Sequence, residues 1–264
     1  MSQMKWILLA SVVASLAGMT GCGGGRSGDE IVRVSRQNNS GTYVYFREAV
    51  LGKDREFKLG SNDQSGSKDV VELVSTTPNA IGYSGMGYAT DEVKMLPIAK
   101  EGETPVPPTA ENASQGTYPL ARPLYIYVVG EPTGALKHYL DWIRSSEGQA
   151  IVEEVGYVST PAIEMSDASP PPDGTIKTAG SDTMVNLAQA WAEDYGKLDP
   201  NVDILVSGGG SGVGIDKFID GTVDIANASR DMKDEDRTLF TEKTGSEVTD
   251  HTVALDALAV YVHK

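Results

Sequence analysis

The sequence predicts an α/β protein with parallel or mixed sheets flanked by helices. Two observations carry that expectation. Short β-type runs alternate with helically spaced apolar residues from Ile31 to the end of the chain. Glycine- and serine-rich turns recur where a strand pattern gives way to a helix pattern. At 264 residues, 40% hydrophobic and 22% charged, the composition is globular and long enough for one large domain or two lobes.

In order, Ile31–Val34 reads as a strand, followed by a polar turn and a helix carrying Tyr43, Phe46, Val50 and Leu51. Val70, Val71, Leu73 and Val74 predict a short helix, and AIGYSGMGYA from Ala80 a buried strand with a tight turn. Residues 100–118, rich in Pro, Gly, Glu and Thr, predict a loop, and RPLYIYVVG from Arg122 a strand of aromatic and β-branched residues. Leu136–Val155 predicts two helices interrupted near Gly148. Ser159–Gly174, with four prolines, predicts an extended linker. Beyond it come strand TIKTAG, a helix from Asp182 to Tyr195 stopped at Gly196 and Pro200, and strand VDILV. The glycine-rich SGGGSGVG, a helix to Asp220, strand VDIANAS, a polar helix and a final strand ALAVYVH complete the series. No internal repeat is present.

Residues 1–21 join a lysine to a short apolar run and small residues, the pattern of a secretory signal peptide. Cys22, the sole cysteine, follows directly and resembles the lipidated residue of a bacterial lipoprotein box; an ordinary signal peptide is the alternative. Residues 22–30 then form a flexible tether, and there is no disulfide framework. A formal charge of −15 without a basic stripe argues against nucleic acid or an anionic membrane surface as partner. Any anion must therefore be captured by local donors against an unfavourable overall field.

Such donors are concentrated at strand-to-helix turns: AGSDTM (Ala179–Met184), SGGGSGVG (Ser207–Gly214) and RQNNSGTY (Arg36–Tyr43), with NASRDM adding Ser229 and Arg230. The first N–H groups of a helix lack intrahelical partners and favour negative charge, and glycine permits close backbone approach. Capping alone explains any one of these turns. Four of them, together with Arg36 and Arg230, exceed what capping needs, because arginine grips an oxyanion through parallel N–H bonds. In open α/β sheets ligands bind beyond the carboxyl ends of strands, where these turns would lie. A plain ion pair with Asp231 is the alternative for Arg230. The glycines are not followed by Gly-Lys-Ser or Gly-Lys-Thr and fit no G-x-G-x-x-G register. The chain has no G-x-S-x-G elbow, and His138, His251 and His263 lack metal-ligand spacing.

GSDTMVNLAQAWAEDY, SGGGSGVGIDKFIDGTVDIANASRDMK, NNSGTYVYFREAVL, AIGYSGMGYA, YPLARPLYIYV and DWIRSSEGQAIVEEVGY together resemble the periplasmic phosphate-binding proteins of bacterial phosphate ABC importers, over most of residues 30–264. The resemblance implies a type II, Venus-flytrap architecture of two α/β lobes closing on inorganic phosphate for delivery to membrane permease subunits. It implies no catalysis, no cofactor and no metal, and a place in the periplasm or on the outer cell surface; the lipoprotein-box reading of Cys22 adds the expectation of a membrane anchor. Carried over by motif, it implies a phosphate site of Arg36, Ser40, Gly41, Thr42, Ser181, Asp182, Thr183, Ser211, Ser229 and Arg230. Ser229-Arg230 stands where well-known members have an aspartate that accepts a phosphate proton, leaving Asp182 as the nearby candidate acceptor.

The motif order departs from that family's: the later half comes first, a circular permutation joined by the Pro-rich linker. The expected division is residues 31–119 for the second lobe, 120–158 for a return segment, 159–174 for the linker and 175–264 for the first lobe. A family segment of a few tens of residues between ALAVYVH and RVSRQNNSGTY is not found, so the second lobe is expected to be incomplete. An exposed sheet edge would then promote self-association. The alternatives to a working binding protein are a rearranged or partner-dependent fragment and a phosphate-ester hydrolase on the same cradle.

Overall fold

The computed structural model describes residues 30–165 and 173–264. The expected signal peptide, Cys22, nearly all of the tether and residues 166–172 of the linker lie outside them. The elements are strand β1 (Val32–Arg36), helix α1 (Gly41–Leu51), β2 (Asn62–Gln64), α2 (Ser67–Thr76), β3 (Ala80–Gly85), a 3-10 turn at Met86–Tyr88, β4 (Val93–Leu96) and α3 (Ala110–Ser114). They continue with β5 (Ala121–Val129), α4 (Gly134–Ile143), α5 (Ser146–Glu154), β6 (Gly174–Gly180), α6 (Val185–Leu198) and β7 (Val202–Ser207). The last are α7 (Ser211–Ile219), β8 (Ile225–Ala228), α8 (Asp234–Thr244) and β9 (Val248–His263).

The strands form one mixed sheet in the order β2-β1-β3-β9-β5-β8-β6-β7, with β4 also on β9. Each half has a parallel trio, β2-β1-β3 and β8-β6-β7, as expected where strands alternate with helices. The halves meet through β9. Its residues 248–257 pair antiparallel with β5, and Leu258–Val262 then pair with β3. Val260–His263 also pair with β4. The last residues of the chain thus complete the half-sheet begun by β1, although the sequence places all of 175–264 in the other lobe.

Alternation decides which strand faces are apolar. On the β5–β9 half, Leu124, Ile126 and Val253 pack with Leu140, Ile143, Leu187 and Trp191 from α4 and α6. A second layer, Tyr127, Ile215, Phe218 and Phe240, covers the opposite face. Around β1 and β3, Val34, Ala80 and Tyr261 pack on Val70, Val71 and Val74 of α2. Full burial of each such aliphatic side chain contributes roughly 1.5–3 kcal/mol.

Several boundaries differ from the sequence reading, for local reasons. The helix break falls at Arg144-Ser145, where Ser145 caps α5 by accepting from Gly148 N. Gly148 itself lies inside α5, where a Cβ would stand 2.3 Å from the Trp142 carbonyl oxygen. Close helix approach, not termination, is what that glycine provides. Helix α6 begins only at Val185, after a turn at residues 182–184, and runs through Gly196 to Leu198. In the expected loop at 100–118, Thr109 accepts from Asn112 N and starts the single turn of α3.

Candidate functional site

The carboxyl ends of β1, β6 and β8 deliver Arg36, Ser181 and Ser229 to one place. Loop closure after β7 brings Ser211, the first residue of α7, beside them, and Ser40 caps α1 by accepting from Thr42 N at 3.2 Å. Ser181 Oγ donates to Ser229 Oγ at 2.9 Å, Ser229 N donates to Ser211 Oγ at 3.1 Å, and Thr42 Oγ1 lies 2.8 Å from Thr183 Oγ1. All these residues are buried, none exceeding 2% exposure. Gly41 closes the cluster: a Cβ there would stand 2.4 Å from Ser211 Oγ and 2.6 Å from Ser229 Oγ. Only a residue without a side chain fits between those hydroxyls.

The same contact sets two helix N-termini against each other. Asn39, just ahead of α1, accepts from Gly212 N in the first turn of α7 at 3.0 Å, and its side-chain amide donates to Gly209 O. Each N-terminus carries the positive end of a helix dipole, so the pair repel unless negative charge lies with them.

Arg36 adds a full positive charge. Its guanidinium is wholly buried and donates to Ser67 Oγ (2.8 Å), the Ser65 carbonyl (2.9 Å) and Asp182 Oδ2 (2.9 Å). Burial pushes its pKa below the usual arginine value; Asp182 opposes the shift and the positive charge of Arg122 adds to it. Its Nε is buried without a hydrogen-bond partner among the described residues. A buried N–H left unpaired costs roughly 1–3 kcal/mol, more on a charged group. Asp182 ties Arg36 to the glycine-rich loop, because its other oxygen accepts from Gly209 N at 2.8 Å. Both carboxylate oxygens are thus engaged by protein donors, the placement of a counter-ion to Arg36. Nearby, burial raises Tyr83 and Tyr88 to about 12, so both phenols are neutral donors at ordinary pH; Tyr88 donates to the Asp182 carbonyl.

Arg230 is placed apart from the hydroxyl cluster. It donates to the Asp231 carbonyl and stands 3.9 Å from Asp236, and it lines a cleft with Val44, Tyr45, Glu48 and Lys53. Its guanidinium is held between the Asp231 carbonyl and Asp236 of α8, and its Nε, like that of Arg36, is buried without a hydrogen-bond partner among the described residues. Among the hydroxyls the structure also brings in Arg122 of β5, buried against Asp256 of β9 and reaching Thr42, Thr183 and the Ser229 carbonyl. Sequence reasoning missed this pair. The available signal was a lone cation and a lone anion, each embedded in an apolar strand run. Among the described residues, no group of three or more His, Cys, Asp or Glu is placed to hold a metal ion, and no helix is long and apolar enough to cross a membrane.

A mixed two-part sheet with buried donors at its carboxyl-end turns is the architecture of a solute-binding protein. The chain belongs to the PBP superfamily, whose domain model matches residues 14–147 and 165–264. A relative named phosphate-binding protein PstS 2 from Streptococcus agalactiae is 30% identical over 275 residues, covering 99% of this chain and 89% of the relative. Phosphate-binding protein PstS of Pseudomonas aeruginosa is 44% identical over 132 residues, covering 48% of this chain and 41% of the relative, so the chain spans less than half the length of that protein. A crystal structure of a phosphate-binding protein of a phosphate ABC transporter from Streptococcus pneumoniae superposes with a TM-score of 0.65 at 29% identity, covering 89% of each chain.

Proposed function

We propose that this protein binds inorganic phosphate at the buried hydroxyl cluster and presents it, outside the cytoplasm, to the permease subunits of an ABC importer. The observation that carries the reading is the meeting of two helix N-termini at the buried hydroxyls, beside a buried Arg36 that Asp182 ties to the glycine-rich loop and whose Nε–H makes no hydrogen bond among the described residues. Positive ends, unspent donors and small hydroxyls in one buried place suit a tetrahedral oxyanion. The relatives' names support phosphate as that anion. Ser40, Gly41, Thr42, Ser181, Thr183, Ser211 and Ser229 supply its hydrogen bonds, Arg36 its charge-assisted clamp, and Asp182 holds that clamp in place. Arg230 acts from the rim, and Cys22 anchors the chain to the membrane by lipid.

The segment order is part of the same proposal: the chain is a circular permutant of the layout in which GSDTM precedes SGTY. Calorimetric titration of the folded chain with phosphate and then sulfate tests the function. Saturable phosphate binding that is weakened in Arg36→Ala is expected; equal affinities of the two chains would refute the assignment.

A further inference from the structure

Arg122 is a cation in the middle of the site whose three nitrogens each have a protein acceptor. Its side chain is 1% exposed, and every nitrogen is engaged. Nε and Nη2 donate to Asp256 Oδ2 (3.1 and 2.8 Å), Nη1 donates to the Ser229 carbonyl (3.0 Å), and Nη2 also reaches Thr42 Oγ1 (3.0 Å) and Thr183 Oγ1 (3.3 Å). We infer that Arg122 is a positioning residue that fixes the donor direction of the Thr42 and Thr183 hydroxyls toward a bound anion, with Asp256 holding it in register. The inference rests on the reading of this cluster as a phosphate seat.

The argument is one of proton bookkeeping. A guanidinium has no acceptor, so toward Arg122 both threonine oxygens can only accept. Each hydroxyl carries one proton, and the 2.8 Å contact between the two oxygens consumes one of the pair. The second proton cannot return to Arg122 and is left to donate outward. An oxyanion needs donors and is repelled by hydroxyl lone pairs, so a cation behind the threonines presets them for it. A neutral side chain at 122 would let either hydroxyl turn around and present its lone pairs instead.

The pair also joins this seat to the strand that links the half-sheets. Arg122 and Asp256 are cross-strand partners in the β5–β9 register, one position before the last β5 pair, Ala121–Ala257. Beyond that point β9 pairs with β3 instead, starting at Leu258. Asp256 Oδ1 accepts from Met86 N at 3.1 Å, immediately after β3. One carboxylate therefore grips backbone from one half-sheet and the arginine from the other. The Ser229 loop is held by the same guanidinium, so its hydroxyl keeps its place between Ser181 and Ser211.

The test is a double-mutant cycle on the full chain, read as phosphate affinity by calorimetry. Arg122→Met combined with Asp256→Asn removes both charges, so neither is left buried and unpaired, and circular dichroism checks folding. It is expected to weaken phosphate binding about tenfold, the scale of one charge-assisted hydrogen bond. In a Thr42→Val/Thr183→Val background the same pair of changes should cost less than about twofold, since the groups through which Arg122 acts are gone. Arg122→Lys, which keeps charge and donors, should recover part of the loss in the threonine-containing chain. Unchanged affinity in the folded Arg122→Met/Asp256→Asn chain would overturn the inference, as would an undiminished tenfold loss in the valine background. Absence of phosphate binding by the unaltered chain would overturn the seat itself, and this inference with it.

Discussion

Arg36 and Arg122 are both buried arginines of the candidate site, yet their bonding differs. Arg122 has every nitrogen committed to protein acceptors, with a carboxylate directly across the sheet. Arg36 has two nitrogens committed and Nε unspent, and its carboxylate partner, Asp182, is 17% exposed on a loop. The engaged nitrogens of Arg122 hold the structure around them, whereas the unspent Nε–H of Arg36 is the donor that the proposed phosphate would complete; Arg47 and Arg230 also carry a buried, unpaired Nε, so the contrast rests on place in the site as well as on the count of bonds.

The largest expected effect is on stability. Arg122→Met alone leaves Asp256 buried and uncompensated, and should cost about 3–5 kcal/mol of unfolding free energy by denaturant titration. Adding Asp256→Asn should recover most of it. Arg36→Ala should instead act on binding, weakening phosphate affinity by roughly 1.5–3 kcal/mol in calorimetry. A stability loss equal to that of Arg122→Met would erase the contrast between the two arginines. Gly41→Ala pushes a methyl against the Ser211 and Ser229 hydroxyls and should weaken binding by about 1–3 kcal/mol, the usual cost of overpacking. The smallest effect concerns pH and lies outside the site. Burial, helped by Arg144, holds His251 below its ordinary value of 6.5. The folded state then binds fewer protons than the unfolded one, so this stability is present above about pH 6.5 and is lost as pH falls toward the folded value. His251→Gln should flatten that part of a Tm-versus-pH curve.

Much of the fold was legible in periodicity. β5, α7 and the polar α8 stand where RPLYIYVVG, the residues after GGGSG and the post-SRD segment predict them. β2 and β4 were not, because three or four residues joined to a sheet edge carry too little pattern. β9 was read as only its apolar second half, ALAVYVH; its first half alternates polar and apolar residues and pairs with β5 across VTDHTVALDA. At the site, the hydroxyls were legible because turns carry them beside glycine. Arg230 follows Ser229 in sequence, but adjacency does not set where a long side chain points: Asp231 and Asp236 hold its guanidinium beside a cleft rather than among the hydroxyls. Arg122 was hidden by its strand context, where attention to turns could not find it.

The central claim is that the unspent Arg36 Nε–H completes its bonding on phosphate. The direct measurement is the arginine Nε–H region of a proton–nitrogen NMR spectrum of the full chain, titrated with phosphate, with Arg36→Lys identifying the resonance. The account predicts that this one signal moves downfield and stops at saturation, while the Arg122 signal, already bonded to Asp256, shifts far less. An Arg36 signal that stays still while calorimetry registers phosphate binding would contradict it.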